Sequence, residues 1–483
     1  MSSRPNVVIF MPDQQRADAV GAFGNTVVQT PNIDALAARG MRFDNAWGQH
    51  SVCGPSRVSL MTGWYPHVAG HRTLDNLLTE NEPNMLRLLR DGGYQVCLAG
   101  NRGDVFAAGV TEASTDVCGY IVEPAANLFE SLSMAHPEGH RMFQAFYFGR
   151  QGDKPRLDGD EAAVQTAIAW IDEVSSRDQP FALWVPLVNP HPPFMVEDPW
   201  FSLHDRADVP LPIPRDAGVG KPGFMAEYRR RYGWDELDEA DFREITATYY
   251  GMVSRTDDQL GRVVQAVDRA GELDNTIFVY LTDHGEYLGD FGLVEKWPSG
   301  LDPSLVRNPL IVAGPGVTEG SVCSAGVELI DVLPTLLEVG DIESSHTHFG
   351  RSLTPLFANP GAEHRAHVFS EGGFSPQDVD LFEAAGWIYQ HKADIQRELP
   401  ELVGKAQAIR SPQFTYVYRQ CESDELYLRD TDPHEIVNVV DDPRHGDILA
   451  ELKGHLLDWL VATSDVIPWN ADPRFPEIPH GWR

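Results

Sequence analysis

The sequence is poor in positive charge. Its 483 residues contain 38 lysines and arginines against 71 aspartates and glutamates, which gives a formal net charge of −33. Nucleic acids and anionic membrane surfaces are bound mainly through clustered lysine and arginine side chains that displace counterions. A chain this acidic is repelled by both kinds of polyanion. The composition therefore argues against nucleic-acid partners and against membrane partners.

Long apolar runs are also missing. Residues 181–188 form one of the longest, which has the size of a strand and falls far short of the roughly 18 residues that cross a bilayer. The N-terminal apolar run stops at Pro12, too early for the apolar core of a signal peptide, and no small-residue cleavage site follows it. We therefore expect a cytoplasmic protein.

Cysteine is scarce as well. The five cysteines, at positions 53, 97, 118, 323 and 421, are odd in number and show no C-x-x-C spacing. A disulfide scaffold or a zinc ribbon needs a denser and more regular pattern. Hydrophobic residues make up 42% of the chain and aromatic residues 10%, which is enough to bury large cores. The composition predicts a globular protein without structural disulfides.

Short apolar runs alternate with helical patterns along the chain, which is typical of an α/β architecture with a largely parallel sheet. Residues 6–11, 181–188 and 276–281 are predicted as buried strands, each followed by a polar side chain. We predict an N-terminal catalytic domain over residues 1–361, with a large, mixed, mostly parallel sheet flanked by helices. A smaller C-terminal α+β subdomain with a short antiparallel sheet is predicted over residues 362–483.

The last residues, 466–483, contain four prolines together with Trp469, Phe475 and Trp482. This density of proline excludes a helix. Two interpretations stand side by side for this tail. It is either a strap that packs on its own or a neighbouring subunit, which would support a homo-oligomer, or an unordered terminus.

The sharpest chemical motif is Cys-Gly-Pro-Ser-Arg at residues 53–57. Pro55 suits the first turn of a helix and Gly63 its end, so Cys53 is predicted at a helix N-terminus, where backbone N–H groups favour an anion. A lone cysteine beside a helix start is more often an ordinary buried residue. The neighbouring residues change that balance in favour of a reactive position.

The motif resembles the C-x-P-S-R signature of the type I sulfatases of the alkaline-phosphatase superfamily, and the match continues through residues 59–67. The resemblance implies that a formylglycine-generating maturation enzyme oxidises Cys53, that the hydrated aldehyde is the nucleophile, and that Arg57 holds it in place. One hydroxyl of the diol attacks sulfur or phosphorus, and the other later expels the transferred group by re-forming the aldehyde.

A hydroxyl nucleophile at neutral pH needs a lowered pKa, which a divalent metal can provide. Asp13 and Gln14 follow the first predicted strand, and Asp283 and His284 follow the third. Asp13 alone could equally be a turn or N-cap residue. All four positions match metal ligands of the sulfatase family. Ligation dominated by oxygen favours Ca²⁺, with Mn²⁺ or Mg²⁺ as alternatives.

The resemblance assigns roles to two further residues. It implies that Lys296 binds the transferred group and that His191 contacts the substrate oxygen or assists the leaving group. By residue type alone, Lys296 would be a solvated surface lysine and His191 a loop histidine between prolines. His67 and Arg102 are candidate substrate-binding residues, because they would add positive charge around the site.

One feature departs from many sulfatases. Their G-K-x-H segment is missing, because residues 93–100 run into Asn101-Arg102-Gly103-Asp104. Phosphonate monoester hydrolases and related phosphodiesterases also lack that lysine–histidine pair, and they share an asparagine downstream of the nucleophile, which Asn76 resembles.

Three functions therefore stay open. The leading hypothesis is an arylsulfatase-like hydrolase of sulfate monoesters. The second is a hydrolase of phosphonate monoesters or phosphodiesters that uses the same machinery, and the third is a catalytically silent, sulfatase-like binding protein. A small positive site inside a strongly negative surface favours a small anionic ester as substrate.

Overall fold

The computed structural model describes residues 4–101, 104–125, 134–382 and 386–467. The strands are β1 (Asn6–Met11), β2 (Gly40–Phe43), β3 (Ala46–Trp47), β4 (Gln95–Ala99), β5 (Val117–Gly119), β6 (Tyr147–Arg150), β7 (Phe181–Pro186), β8 (Phe194–Val196), β9 (Thr276–Leu281), β10 (Leu310–Ala313), β11 (Ser321–Cys323), β12 (Val327–Glu328), β13 (Val368–Gly372), β14 (Ala406–Arg410), β15 (Phe414–Arg419) and β16 (Glu425–Leu428). The helices are α1 (Pro31–Ala38), α2 (Cys53–Thr62), α3 (Pro66–Ala69), α4 (Met85–Asp91), α5 (Val110–Ser114), α6 (Gly159–Val174), α7 (Phe224–Tyr232), α8 (Glu239–Arg269), α9 (Pro303–Val306), α10 (Val332–Val339), α11 (Thr354–Ala358), α12 (Gln390–Glu398) and α13 (Gly446–Ala462).

Eight strands form the central sheet in the order β11-β2-β10-β9-β1-β7-β4-β5. Strand β10 runs antiparallel to β2 and β9, and the other neighbouring pairs are parallel. The central strands β1, β7 and β9 are buried along their whole length. Their β-branched and aromatic residues suit a sheet that is covered on both faces. The predicted α/β class with a mixed, mostly parallel sheet is confirmed.

Helices cover both faces of this sheet. Helices α1, α6 and α8 pack on one face and share a hydrophobic core with it. Helices α2, α4 and α10 contribute to the core on the other face. Strands β1 and β9 begin and end where the sequence predicts them. Strand β7 ends at Pro186, two residues earlier than predicted, although the backbone N–H of Leu187 still donates to the carbonyl of Met11.

Helix α8 spans 31 residues, and two aspartates of this region cap helices: one caps α8 itself and the other caps α1. Asp238 starts the helix in a capping box with Asp241. Farther along, the buried carboxylate of Asp257 accepts hydrogen bonds from the backbone N–H groups of Asn32 and Ile33 at the start of α1. Burial raises the pKa of Asp257 to about 6. Across the described ranges, no helix combines the length and apolarity that a membrane crossing requires.

A second, antiparallel sheet follows in the C-terminal part, with the order β13-β14-β15-β16. Helix α13 packs against it around Leu452, Leu456 and Trp459. The predicted short C-terminal antiparallel sheet is confirmed, and the domain boundary after residue 361 stays a prediction. Residues 468–483 of the tail, and with them its proposed oligomer contact, lie outside the described residues.

Candidate active site

The carboxyl ends of β1, β7 and β9 lie side by side, because the three strands are parallel neighbours. Strand β1 leads into Asp13 and Gln14, β9 leads into Asp283 and His284, and β7 leads into the loop of His191. Open α/β sheets bind their ligands at this edge. The order of the strands therefore assembles most of the predicted site.

Asp160, at the start of α6, holds the loop that carries His191. Its carboxylate accepts hydrogen bonds from the backbone N–H groups of Val188 (2.7 Å) and Asn189 (2.8 Å) and from the Asn189 side chain (2.6 Å). The carbonyl of Asn189 in turn accepts a bond from the backbone N–H of Asp13 (3.3 Å). The loop and the end of β1 are therefore tied to each other.

Cys53 lies among the acidic side chains of this edge. It is the first residue of α2, as predicted, and is only 3% exposed. Its Sγ lies 3.2 Å from Nε2 of His284 and 3.6 Å from Oδ1 of Asp13. Ligand atoms of Asp13, Cys53, Asp283 and His284 all lie within 4.8 Å of one another. The structure thus joins Cys53 to three of the predicted metal ligands.

The chemistry of this cluster fits a divalent cation. Asp13 and Asp283 supply carboxylate oxygens. His284 donates from Nδ1 to the carbonyl of Gly285 (2.9 Å), which leaves its Nε2 lone pair directed at the cluster. Burial lowers the pKa of His284, so the ring is neutral, the form that ligates metals. The oxygen-rich set suits Ca²⁺, Mg²⁺ or Mn²⁺.

Arg57, about one turn after Cys53, is fully buried and contacts three carboxylates. It donates to Oδ2 of Asp13 (2.7 Å), Oδ2 of Asp283 (2.8 Å) and Oδ1 of Asp104 (2.7 Å). Burial and the charge of Asp13 act to raise the pKa of Asp283. Arg57, His284 and the backbone N–H of Gln14 together outweigh them, and the pKa is lowered. Arg57 therefore balances the metal-ligand carboxylates, and its predicted contact with the converted residue 53 stays a prediction.

Lys296 is buried, unlike a solvated surface lysine. Its Nζ lies 3.0 Å from Nε2 of His191 and 3.1 Å from Oε1 of Glu295. His191 donates from Nδ1 to the carbonyl of Pro192 (2.6 Å), so its Nε2 accepts from Lys296. Burial acts to lower the pKa of Lys296, but the surrounding negative charges raise it, and the ammonium stays charged. The predicted pair of Lys296 and His191 is brought together at the site.

Gln14 has left-handed backbone dihedrals (φ 63°) and turns its side chain toward Lys296. Its Oε1 accepts a bond of 2.6 Å from the Lys296 ammonium. Its Nε2 donates to Glu286 and, at 3.2 Å, to Glu295. The amide oxygen therefore already contacts Lys296, and ligation of a metal by Gln14 stays a prediction.

The other predicted substrate-binding residues have different surroundings. The ring of His67 contacts Oε1 of Glu371 (2.8 Å) and Oγ1 of Thr463 (2.9 Å), which places both of its nitrogens in bonds within the fold. Asn76 is exposed, and its Oδ1 accepts from Thr73 (2.8 Å). None of these contacts joins His67 or Asn76 to the Cys53 cluster. Arg102 lies outside the described residues, and the substrate-binding role of all three stays a prediction.

Sequence reasoning missed the outer charges of the site, at Asp104, Glu286, Glu295 and Lys392. Glu295 binds the ammonium of Lys296 and, at 3.2 Å, that of Lys392. Burial acts to raise the pKa of Glu295, but the two lysines lower it to about 2. Burial and the charge of Glu295 raise the pKa of Glu286 to about 7. Glu295 directly precedes Lys296, which is a usable signal, whereas Lys392 stands in no motif.

The mixed sheet, the ligand cluster at its carboxyl edge and the cysteine at the start of α2 match the arrangement expected for a hydrolase of the alkaline-phosphatase superfamily. The family model described as Sulfatase matches residues 5–342, more than half of the chain. The protein therefore belongs to the sulfatase family. The predicted enzyme class, a sulfuric ester hydrolase, is confirmed at the level of this family.

Individual relatives cover nearly the whole chain. The multifunctional alkaline phosphatase superfamily protein PehA of Trinickia caryophylli is 28% identical, with 96% of each chain covered. The uncharacterized sulfatase YidJ of Escherichia coli K12 is 26% identical and covers 98% of this chain and 92% of its own. The crystal structure of the phosphonate monoester hydrolase of Agrobacterium radiobacter matches with a TM-score of 0.73 at 24% identity, covering 95% and 96%. This structural likeness shows the fold.

Proposed function

We propose that the protein hydrolyses small sulfate monoesters with one divalent metal ion and a formylglycine derived from Cys53. The observation that carries this proposal is the location of Cys53 at 3.2 Å from His284 and 3.6 Å from Asp13. The side chain at position 53 and a cation held by Asp13, Asp283 and His284 would share one space. Membership of the sulfatase family supports the same conclusion.

The residues present have distinct tasks in this reaction. When bound, the metal supplies positive charge that lowers the pKa of a hydroxyl nucleophile and neutralises the substrate oxygens. Arg57 keeps Asp13 and Asp283 oriented as ligands. Lys296 would bind a non-bridging oxygen of the sulfate. His191, whose Nε2 lies 3.0 Å away, would take up a proton from solvent at Nε2 and, as the imidazolium, donate it to the departing alcohol oxygen. Ca²⁺ is the cation we expect first, because carboxylates dominate the cluster.

A second candidate function uses the same residues on phosphonate monoesters or phosphodiesters. Two observations favour it: the sequence lacks the lysine–histidine pair after β4, and relatives include a protein described as multifunctional. Sulfate monoesters, phosphonate monoesters and phosphodiesters are all monoanions, so the charge of the site accepts each of them. The kcat/KM values on sulfate esters and on phosphorus esters decide between the two candidate functions.

The test compares 4-nitrophenyl sulfate, 4-nitrophenyl phenylphosphonate and bis(4-nitrophenyl) phosphate, which share one leaving group. The protein is expressed with the maturation enzyme, and mass spectrometry measures the conversion of residue 53. We expect the highest kcat/KM on the sulfate ester, and a phosphorus preference would replace the first function by the second.

Cys53→Ala is expected to abolish turnover, whereas Cys118→Ala, a matched change at an exposed cysteine, keeps it. If converted, metal-loaded protein turns over none of the three esters, the protein is a sulfatase-like binding protein. If residue 53 stays a thiol and Cys53→Ala retains full activity, the covalent mechanism is wrong.

A further inference from the structure

A segment from the C-terminal part of the chain, residues 387–392, reaches the site. Lys392 at its end places Nζ 3.2 Å from Oε1 of Glu295, the carboxylate that also binds Lys296. Lys392 is buried, so this contact is shielded from solvent. The segment therefore lies one side chain away from the lysine that we assign to the transferred group.

The position of the segment is fixed by Tyr232 on α7. The hydroxyl of Tyr232 donates to the carbonyl of Ile388 (2.9 Å) and accepts from the backbone N–H of Lys392 (3.1 Å). Both ends of the segment are thus held by one buried side chain. These two bonds fix the position of the backbone of the residues between Ile388 and Lys392.

Tyr389 lies in the middle of the segment and has an unusual hydroxyl. Its ring packs at 5.1 Å from that of Phe146, while its hydroxyl oxygen is buried and has no hydrogen-bond partner among the described residues. Burial raises the pKa of Tyr389, and the charges of Glu295 and Cys53 add to the effect, so the hydroxyl stays a donor. Leaving a buried donor unpaired is costly, so this hydroxyl is available to donate to an acceptor atom of a ligand.

Trp387 and Tyr389 together form one wall beside the site, and Trp387 is its solvent-exposed part. Its side chain is 53% exposed and meets the ring of Phe148 edge to face at 5.3 Å. Phe148 belongs to β6. This strand pairs with β8, and β8 directly follows the loop of His191. An exposed indole on this side of the site offers a flat apolar surface that another aromatic ring can cover.

We propose that Trp387 and Tyr389 form the substrate subsite for small aryl ester monoanions. Tyr389 Oη donates a hydrogen bond to an oxygen of the transferred group, and the indole of Trp387 packs on the aryl ring of the alcohol portion. The negative end of such an ester lies near Lys296, and its ring covers the exposed part of the wall. This inference rests on the proposed function of the same site and names its substrate class.

Binding of two unreactive probes tests the subsite apart from turnover. Benzenesulfonate and methanesulfonate carry the same anionic group, and neither has an ester bond to hydrolyse. Isothermal titration calorimetry with converted, metal-loaded protein is expected to show benzenesulfonate binding about tenfold more tightly. Trp387→Ala should remove this difference and leave methanesulfonate binding unchanged. Tyr389→Phe, which keeps the ring on Phe146, should weaken both probes about tenfold, because both lose the same hydrogen bond.

Two controls separate these effects from general changes in the protein. Tyr418→Phe and Leu457→Ala alter exposed side chains elsewhere and should leave both affinities unchanged, with equal melting temperatures for all variants. Equal affinity of the wild type for the two probes, or no binding of either, overturns the proposal. So does a preference that survives in Trp387→Ala, or a Tyr389→Phe variant that binds like the wild type. Failure of the proposed function would instead be seen as absent ester turnover.

Discussion

The ammonium of Lys296 lies 3.0 Å from Nε2 of His191, although 105 positions separate the two residues in the chain. One substrate oxygen can contact both groups, so their contributions to catalysis are expected to be coupled. We expect Lys296→Ala and His191→Ala each to lower kcat/KM by about 10²–10⁴. The double variant should lose less than the product of the two factors, because residues that act as a unit are not additive.

Steady-state kinetics on one aryl ester measures all three variants. Lys453→Ala, which removes a surface ion pair with Asp424, serves as a control and should retain wild-type kcat/KM. Fully multiplicative losses in the double variant would show that the two groups act independently.

The second prediction concerns Arg57 and the cation. In Arg57→Ala the buried carboxylates of Asp13 and Asp283 lose their shared positive partner, which costs about 3–5 kcal/mol of folding free energy. A divalent cation supplies part of the missing charge. Added CaCl₂ or MnCl₂ should therefore raise the melting temperature of the variant more than that of the wild type.

Thermal unfolding in EDTA and with each metal measures this difference. Arg444→Ala removes an exposed arginine that pairs with Asp442, and it should respond to metal like the wild type. An equal rise in melting temperature for Arg57→Ala and wild type would mean that the cation does not bind next to these carboxylates.

The third prediction concerns His67, whose ring bridges Glu371 and Thr463. The contacts indicate a role in stability, although the sequence suggests substrate binding. His67→Ala should lose about 1–3 kcal/mol of stability and leave KM for a small ester within twofold of the wild type. Thermal unfolding and KM measurements check both parts, with His455→Ala on the surface of α13 as control. A tenfold rise in KM at unchanged melting temperature would instead support substrate binding.

The fourth prediction concerns pH and Asp257, whose pKa burial raises to about 6. In the unfolded chain the carboxyl has a pKa of about 3.9, so between these values the native state binds the proton more tightly. This contribution to stability is present below about pH 4 and is lost as the pH rises to about 6, with a change of about 3 kcal/mol.

The neutral variant Asp257→Asn should not show this loss. Its melting temperature relative to the wild type should rise between pH 4 and pH 6 and level off above that. Asp441→Asn, at an exposed position, is the control and should follow the wild type throughout. A constant difference between Asp257→Asn and wild type over this range contradicts the assignment.

The sequence predicted those parts of the site that short motifs determine. The apolar runs before Asp13 and Asp283 identify parallel strands, and parallel neighbours end at one edge, so the cluster follows from local patterns. The start of α2 at Cys53 follows in the same way from Pro55.

Other residues depend on contacts that no local pattern encodes. Lys392 reaches Glu295 from a segment that Tyr232 holds, and the contact between Tyr232 and Lys392 joins positions 160 residues apart. His67 stands in a motif of the family, but Glu371 and Thr463, both distant in sequence, decide its surroundings. Charge alone could not distinguish a histidine at the substrate from one that ties two parts of the fold.

The burial of Cys53 also affects when this residue can be modified. Its side chain contacts Asp13, which is synthesised before it, and His284, which is synthesised long after it. At about 5–20 residues per second, a ribosome needs on the order of 10–50 s to extend the chain from Cys53 to His284. During that interval strand β1 has no β9 to pair with, and Cys53 lacks its contact with His284. A modifying enzyme therefore finds this thiol with fewer neighbours before the fold is complete than in the folded protein, where Cys53 is 3% exposed.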